Sequence, residues 1–417
     1  MRIGYACLAV GVPDTGFRSC TMKNADEERL TAIISHNLHS LEKIMEYNHK
    51  NGIRMFRISS DLIPFGSSPV NFLEWWNIFG DEFKRIGDMV KKYDIRVSMH
   101  PGQYTVLNSP DANIVERAVL DLQYHTRILD CMGVDKTCKI ILHVGGVYGD
   151  KAQAARRFEL NWRGMKDSVK ERLVIENDDR NYTVEDVLEI SGRVGVPVVF
   201  DNLHHALNPS IEKNPDFFWV AECGKTWKRM DGNPKIHYSQ QNGNKKKGSH
   251  SDIIRIREFM EYLDGLGNEG PDIMLEVKDK NLSAVKCINC VTPGKTARKL
   301  ELEWSRYKYK VLENSQEKYN QIRKMLKDKE CSPVSFYSVL EEALDMQGNA
   351  GSFINAAQHV WGYFKDHADE MEREKFKKAM VSFQRGDLPL SAIKKYMWKL
   401  SVKYQEEYLL NSYYFIL

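Results

Sequence analysis

Eight short apolar segments recur through the first 292 residues, and six of them run directly into a histidine or an acid. The ends read VSMHPGQY (His100), IILHVGG (His143), LVIENDD (Glu176), VVFDNLHH (Asp201, His204), PKIHYS (Lys235, His237) and IMLEVKD (Glu276). The segments lie near 2–8, 53–58, 95–99, 138–144, 172–176, 197–201, 234–238 and 272–276. Amphipathic patterns separate them, near 26–50, 71–92, 111–132, 151–168, 183–194, 210–223 and 252–264. The first sets Leu30, Ile33, Ile34, Leu38, Leu41, Ile44 and Met45 on one helical face. Asp111 and Thr183 read as helix N-caps, Gly133 and Gly195 as helix stops. Strand followed by helix, repeated, predicts an α/β fold with a parallel sheet closed as a (β/α)8 TIM barrel. Such a barrel puts its chemistry at the C-terminal strand ends, where these residues fall.

The chain has 417 residues, room for a barrel of about 250 plus an extension. We expect a barrel domain over 1–292 and a C-terminal helical extension over 293–417. The latter has two histidines (His359, His367), many charges and aromatics, and no strand-end motif. No apolar run approaches the roughly 20 residues of a membrane span, so no membrane partner is expected. The apolar start IGYACLAVGV follows a single Arg, and Gly4-Tyr5 suits a first strand better than a leader. Eight scattered cysteines read as free thiols in a reducing, bacterial-type cytosol, and Cys287-x-x-Cys290 alone is a weak metal or redox signal. A net charge of +3 neither demands nor excludes nucleic acid. No nucleotide cofactor is expected, and the chain is read as a monomer.

Neutral imidazole and ionised carboxylate are good ligands for Zn²⁺ and Mn²⁺. One mouth histidine alone is often just a satisfied polar group, and one strand-end Glu often only an ion-pair partner. Seven such residues at successive strand ends predict a metal site, and more carboxylates than one ion needs predict several ions. Neighbouring ions suit hydrolysis of phosphate esters. His237 and His250 flank YSQQNGNKKKGS, a loop able to return His250 to the site while showing Lys245, Lys246 and Lys247 to a phosphate backbone. Gln103 and Tyr104 follow a Pro-Gly turn after His100, a place from which an amide and a ring can wedge into a base stack. His36, His39, His49, His125, His359 and His367 fall in helical patterns and are not read as ligands.

In these strings the chain resembles the UV damage endonuclease family, relatives of endonuclease IV among the xylose-isomerase-like barrels. The resemblance rests on GYACL, FRISSDLIPFGSSP, SMHPGQYTVLNSP, LHVGGVYGDK, IENDDRNYT, VFDNLHH, PKIHYS, SHSD and LEVKDK, spans about 2–280 and leaves out the region past 293. It implies an endonuclease that cuts damaged double-stranded DNA 5′ of UV photoproducts, and of abasic sites. It implies up to three divalent ions, manganese foremost, with Zn, Mg or Co as substitutes. The implied ligands are His100, His143, Glu176, Asp201, His204, His237, His250 and Glu276. Glu176, Lys235 and His237 would be catalytic, with Lys235 carboxylated. Gln103 and Tyr104 would probe the damaged dinucleotide, and Tyr5 would position it. Two positions depart from the family: Ser68 stands where a His is usual, and Ala9 where an Asn is usual. A sugar isomerase of the same barrel type, and a damage-binding protein without activity, are the rival readings.

Overall fold

The computed structural model describes residues 1–267, 270–294 and 297–417. Eight parallel strands close into a barrel in chain order: β1 (Ile3–Ala6), β2 (Met55–Ile58), β3 (Arg96–Met99), β4 (Ile140–His143), β5 (Leu173–Glu176), β6 (Val198–Asp201), β7 (Lys235–Tyr238) and β8 (Asp272–Leu275). Each lies within the segment expected for it. The main helices between them are α1 (Glu27–Lys50), α2 (Gly80–Lys92), α3 (Ala112–Cys131), α4 (Lys151–Gly164), α5 (Val184–Val194), α6 (Asp216–Lys225), α7 (Ile256–Leu266) and α8 (Asn281–Val291).

The caps follow the sequence. Asp111 accepts from Asn113 N, Thr183 and Asp186 form a reciprocal capping box, and Gly195 ends α5 in the left-handed region at φ 75°. Two expected helices are broken. The stretch 71–92 splits at Phe79 into Trp75–Ile78 and α2, and 151–168 splits into α4 and a short helix Asp167–Lys170; the helix expected over 210–223 starts only at Asp216, with an unexpected short helix, Asn202–Leu207, before it. Helix α8 was not among the expected helices. It carries Cys287 and Cys290, and all eight cysteines are free thiols.

Strand alternation sorts side chains between the lumen and the helices. Ile141, Val174 and Val199, each two residues before a strand-end ligand, pack with Trp227 inside the barrel. At the N-terminal strand ends three charged side chains of the floor are bonded to carboxylates and carbonyls. Arg96 donates to the carbonyls of Thr137 (2.9 Å) and Asp231 (2.9 Å) and to Asp272 Oδ2 (2.9 Å). Arg172 donates to Asp130 Oδ1 (2.6 Å) and to the carbonyls of Val134 and Asp135. Lys139 meets Asp231 and the Glu171 carbonyl.

The chain forms two compact units, 1–254 with 259–288, and 255–258 with 289–417. The second is helical, with α9 (Ala297–Asn314), α10 (Gln316–Met325), α11 (Pro333–Asp345), α12 (Ala350–Trp361), α13 (Glu370–Gln384), α14 (Leu390–Lys403) and a final turn Glu407–Leu410. Its core joins Leu312, Ala356, Val360, Phe364, Ile393, Met397 and Leu409. No helix among the described residues is long and apolar enough to cross a membrane.

Candidate metal centre

The lumen-facing residues at the C-terminal strand ends converge on Glu176, which is 1% exposed. Register sets their level: His143 pairs with Glu176 across β4 and β5, and Asp201 with His237 across β6 and β7. Glu176 Oε2 lies 3.1 Å from His100 Nε2 and 3.7 Å from His143 Nε2. Its Oε1 lies 2.7 Å from His237 Nδ1 and 3.7 Å from His204 Nδ1. Glu276 Oε1 is 3.5 Å from His237 Nδ1, and Glu276 Oε2 is 3.7 Å from His250 Nε2.

Two triads have donor atoms all within 4.8 Å of one another: His100, Glu176 and His237, and Glu176, Asp201 and His204. Glu176 belongs to both. His143 Nδ1, Asp201 Oδ2 and His237 Nε2 are buried without a hydrogen-bond partner. Such atoms are costly unless something meets them. His100 Nδ1 faces the Pro101 carbonyl at 3.1 Å and holds the donor proton there. That leaves the Nε2 lone pair facing a carboxylate oxygen, an arrangement that a cation between them satisfies. The donor set of imidazole and carboxylate fits divalent metal ions.

The charge states of most of these groups suit a metal ion, whereas those of Asp201 and His204 favour a proton in its place. Burial pushes His143 down to about 4 and lowers His100 and His250, which keeps lone pairs free. Burial raises Asp201 to about 6. Burial alone would raise Glu176, but His237, His143 and His100 hold it well below the usual carboxylate range. In His204 burial works downward, and Asp201, Glu176 and Glu276 outweigh it and push the ring up to about 9.

Four of the candidate ligands are held from behind. Asn177, fully buried, donates to the Asp201 carbonyl (3.0 Å), accepts from Asp201 N (2.9 Å), and offers its own carbonyl to His204 Nδ1 (3.0 Å). Arg57 on β2 donates to Glu276 Oε1. His125 on α3 bonds the Asp121 carbonyl (2.7 Å) through Nδ1 and meets Ser60 Oγ (2.9 Å), which lies 2.9 Å from the His100 carbonyl. These supports were not among the expected site residues. The one legible signal was Arg57, a charge inside the apolar run MFRI.

The turn after His100 shares the α3 anchor. Thr105 is buried and donates to Asp121 Oδ2 at 2.6 Å, leaving Gln103 and Tyr104 exposed. A Cβ at Gly102 would sit 2.4 Å from the Tyr104 ring, so a larger residue there would displace that exposed ring. Gln103 lines a cavity of about 360 Å³ with His143 and His204, while Tyr104 faces another with Ser68 and Asp61. Ser68 only closes its own turn, accepting from Val70 N.

The loop after β7 is an ordered hairpin. Gln241 and His250 form an antiparallel bridge, and the Gln241 amide accepts from Gly248 N and donates to the Lys246 carbonyl. Lys245, Lys246 and Lys247 are exposed at its tip, and Lys245 is tied to Asp252 at 3.0 Å. Lys235 stands at the first position of β7, two residues below His237 on the same face. Its Nζ is buried and unpartnered, and burial with Arg96 and Arg57 pushes its pKa well below the usual lysine value.

Tyr5 corrects an expectation. Gly4 and Ala6 take the lumen side of β1, so Tyr5 points the other way, fully buried, with its hydroxyl on Asn48 of α1 at 2.9 Å. It cannot touch a bound lesion from there.

The profile of the family described as UV-endonuclease UvdE matches residues 1–304, and one described only as a protein of unknown function, DUF1722, matches 308–417. A UV DNA damage endonuclease of Clostridium perfringens is 40% identical over 386 residues, 91% of this chain and 92% of its own length. That match is longer than the barrel, so the resemblance does reach past residue 293. One of Bacillus velezensis is 32% identical over 283 residues, 67% of this chain and 88% of that one. The crystal structure of SacUVDE superposes with a TM-score of 0.65 at 38% identity, covering 69% of this chain and 96% of that chain.

Proposed function

The chain belongs to the UV-endonuclease UvdE family, and from that premise we propose that it is a metal-dependent DNA repair endonuclease cutting immediately 5′ of UV photoproducts, and at abasic sites. The observation that carries the reading is Glu176, one buried carboxylate common to two ligand triads. His100, Glu176 and His237 would hold one ion and Glu176, Asp201 and His204 a second, with His143, His250 and Glu276 available to a third. Manganese is the ion we assign. Divalent ions there supply Lewis acidity at the scissile phosphate.

The chain's own groups do the rest. Glu176 keeps its carboxylate ionised for both triads. Arg57 holds Glu276 toward His237. Lys235, whose charged form burial and two guanidinium neighbours disfavour, offers an unpartnered amine for carboxylation. Gln103 and Tyr104 project from a turn pinned by Thr105, able to fill a gap in a base stack that damage has loosened. Lys246 and Lys247 meet phosphates, and Lys245 joins them when it leaves Asp252. Water adds at phosphorus and the P–O3′ bond breaks, giving a 3′-hydroxyl and a 5′-phosphate. We assign this chemistry to residues 1–292 of a monomer.

A UV-irradiated supercoiled plasmid tests the reading. With Mn²⁺ the protein should nick it and leave an unirradiated control closed, and the new 3′ ends should prime a polymerase directly. Intact irradiated plasmid across a manganese titration would overturn the proposal.

A further inference from the structure

The helical unit carries a surface that the barrel's chemistry does not use. Trp304 packs against Tyr319 with ring centroids 5.3 Å apart, and Tyr363 stacks on Tyr408 at 5.5 Å with 13° between planes. All four rings are half-buried, so each still meets water. Lys308 Nζ sits 4.5 Å from the Tyr309 ring centroid and 4.6 Å from that of Tyr408, and the Arg323 guanidinium lies 5.7 Å from that of Tyr319.

Cation pairing in this unit isolates the feature. The half-buried cations Arg255, Arg306, Lys310, Lys318 and Lys394 each sit on a carboxylate. Lys308 is half-buried too, yet neither it nor Arg323 makes an ion pair among the described residues. Burial, then Arg323, lowers the Lys308 pKa, with no acid among the causes. Two neighbouring cations among aromatic rings, left without an anion, are complementary to a ligand that brings both anions and ring faces. An unpaired nucleic-acid strand does so, because its phosphates lie along a backbone and its bases offer π-faces that a duplex hides.

We propose that this face binds a single strand of DNA, its phosphates on Lys308 and Arg323 and its bases against Trp304, Tyr319, Tyr363 and Tyr408. The choice of DNA over RNA rests on the repair reading of the barrel, whereas the strand-binding chemistry stands on the face alone.

The full chain is tested in EDTA, which prevents cutting, with a 25-nucleotide single strand carrying 5-iodouracil. Photocrosslinks should map to peptides containing Tyr319, Tyr363 or Tyr408. Lys308→Gln with Arg323→Gln should weaken binding about tenfold at low salt and reduce the log–log salt slope by about 1.4, two phosphate contacts at about 0.7 each. Lys308→Arg with Arg323→Lys should restore both, which separates lost charge from lost fold. Crosslinks confined to residues before 289, an unchanged slope, or tighter binding of the matching RNA would overturn the proposal. Plasmid nicking is read in parallel. Nicking without these crosslinks sinks this face alone, and crosslinks without nicking sink the barrel reading alone.

Discussion

The two ends of the barrel bury charge in opposite ways. At the floor, Arg96, Arg172 and Lys139 each meet carboxylates and carbonyls at bonding distance. At the mouth, Glu176 faces four imidazoles, while Asp201 Oδ2, His143 Nδ1 and His237 Nε2 have no partner. A buried charge that is satisfied holds the fold together. A buried group left open is tolerated because something outside the chain completes it. Lys235 sharpens the contrast. It starts its strand at floor level, yet its unpartnered amine makes it chemically a member of the mouth.

Substitutions at the two ends should therefore fail differently. Glu176→Gln should lose at least one bound ion and cut nicking of irradiated plasmid by about a thousandfold or more, since several kcal/mol of transition-state stabilisation depend on the ions. Without metal its melting midpoint should fall less than that of the floor variant, because an amide can keep hydrogen bonds to His100 and His237. Elemental analysis and a plasmid assay read the first part, and a thermal melt the second. Arg96→Met should do the reverse. It takes the buried guanidinium from Asp272, which keeps only its contacts to Arg2 and Asn233, at a cost of up to about 3–5 kcal/mol, visible as a lower urea midpoint, with metal content kept in the folded fraction. Equal stability losses in both variants would erase the distinction between the ends.

A pH series separates them next. His204 titrates near 9 in the metal-free fold, above the unfolded value of about 6.5. The stability it contributes is complete below about 6.5 and is lost as pH rises through about 9. Proton and metal compete for this ring, so manganese affinity should climb about tenfold per pH unit up to about 9 if one proton is released. Calorimetric titrations at three pH values would show it, and a flat profile would remove His204 from the ligand set.

Much of the mouth was legible in the sequence because most of the candidate ligands end an apolar strand, and strand ends at one level of a barrel must converge. The supports were not. His125 reaches His100 only through Ser60 and a backbone carbonyl, a link between residues far apart in the chain that no spacing encodes. Tyr5 was misplaced although the alternation Gly4, Tyr5, Ala6 held the answer: the small residues take the crowded lumen and the ring takes the helix side. Helix α8 follows LEVKDK with little polar contrast and was passed over as the end of the barrel.

Smaller effects refine the mouth itself. Gln103→Ala with Tyr104→Ala should leave metal content unchanged, since neither belongs to a ligand triad. Stacking contacts are worth about 1–3 kcal/mol each, so discrimination between damaged and intact duplex should drop about tenfold or more. Competition binding would measure it, and unchanged discrimination would reduce the turn to a loop. Lys246→Ala with Lys247→Ala should be milder still, weakening every DNA sequence alike and flattening the salt slope by about 0.9 per lost contact. Lys245→Ala should weaken binding less than either, because that ammonium must first leave Asp252.

The central claim is that the open groups at the mouth are a multi-ion site built around one shared carboxylate. Anomalous scattering from crystals grown with Mn²⁺ tests it most directly. The account predicts at least two peaks, one on each side of Glu176, ligated by His100 and His237 on one side and by Asp201 and His204 on the other. Protein that nicks irradiated plasmid yet shows no peak within bonding distance of Glu176 would contradict it.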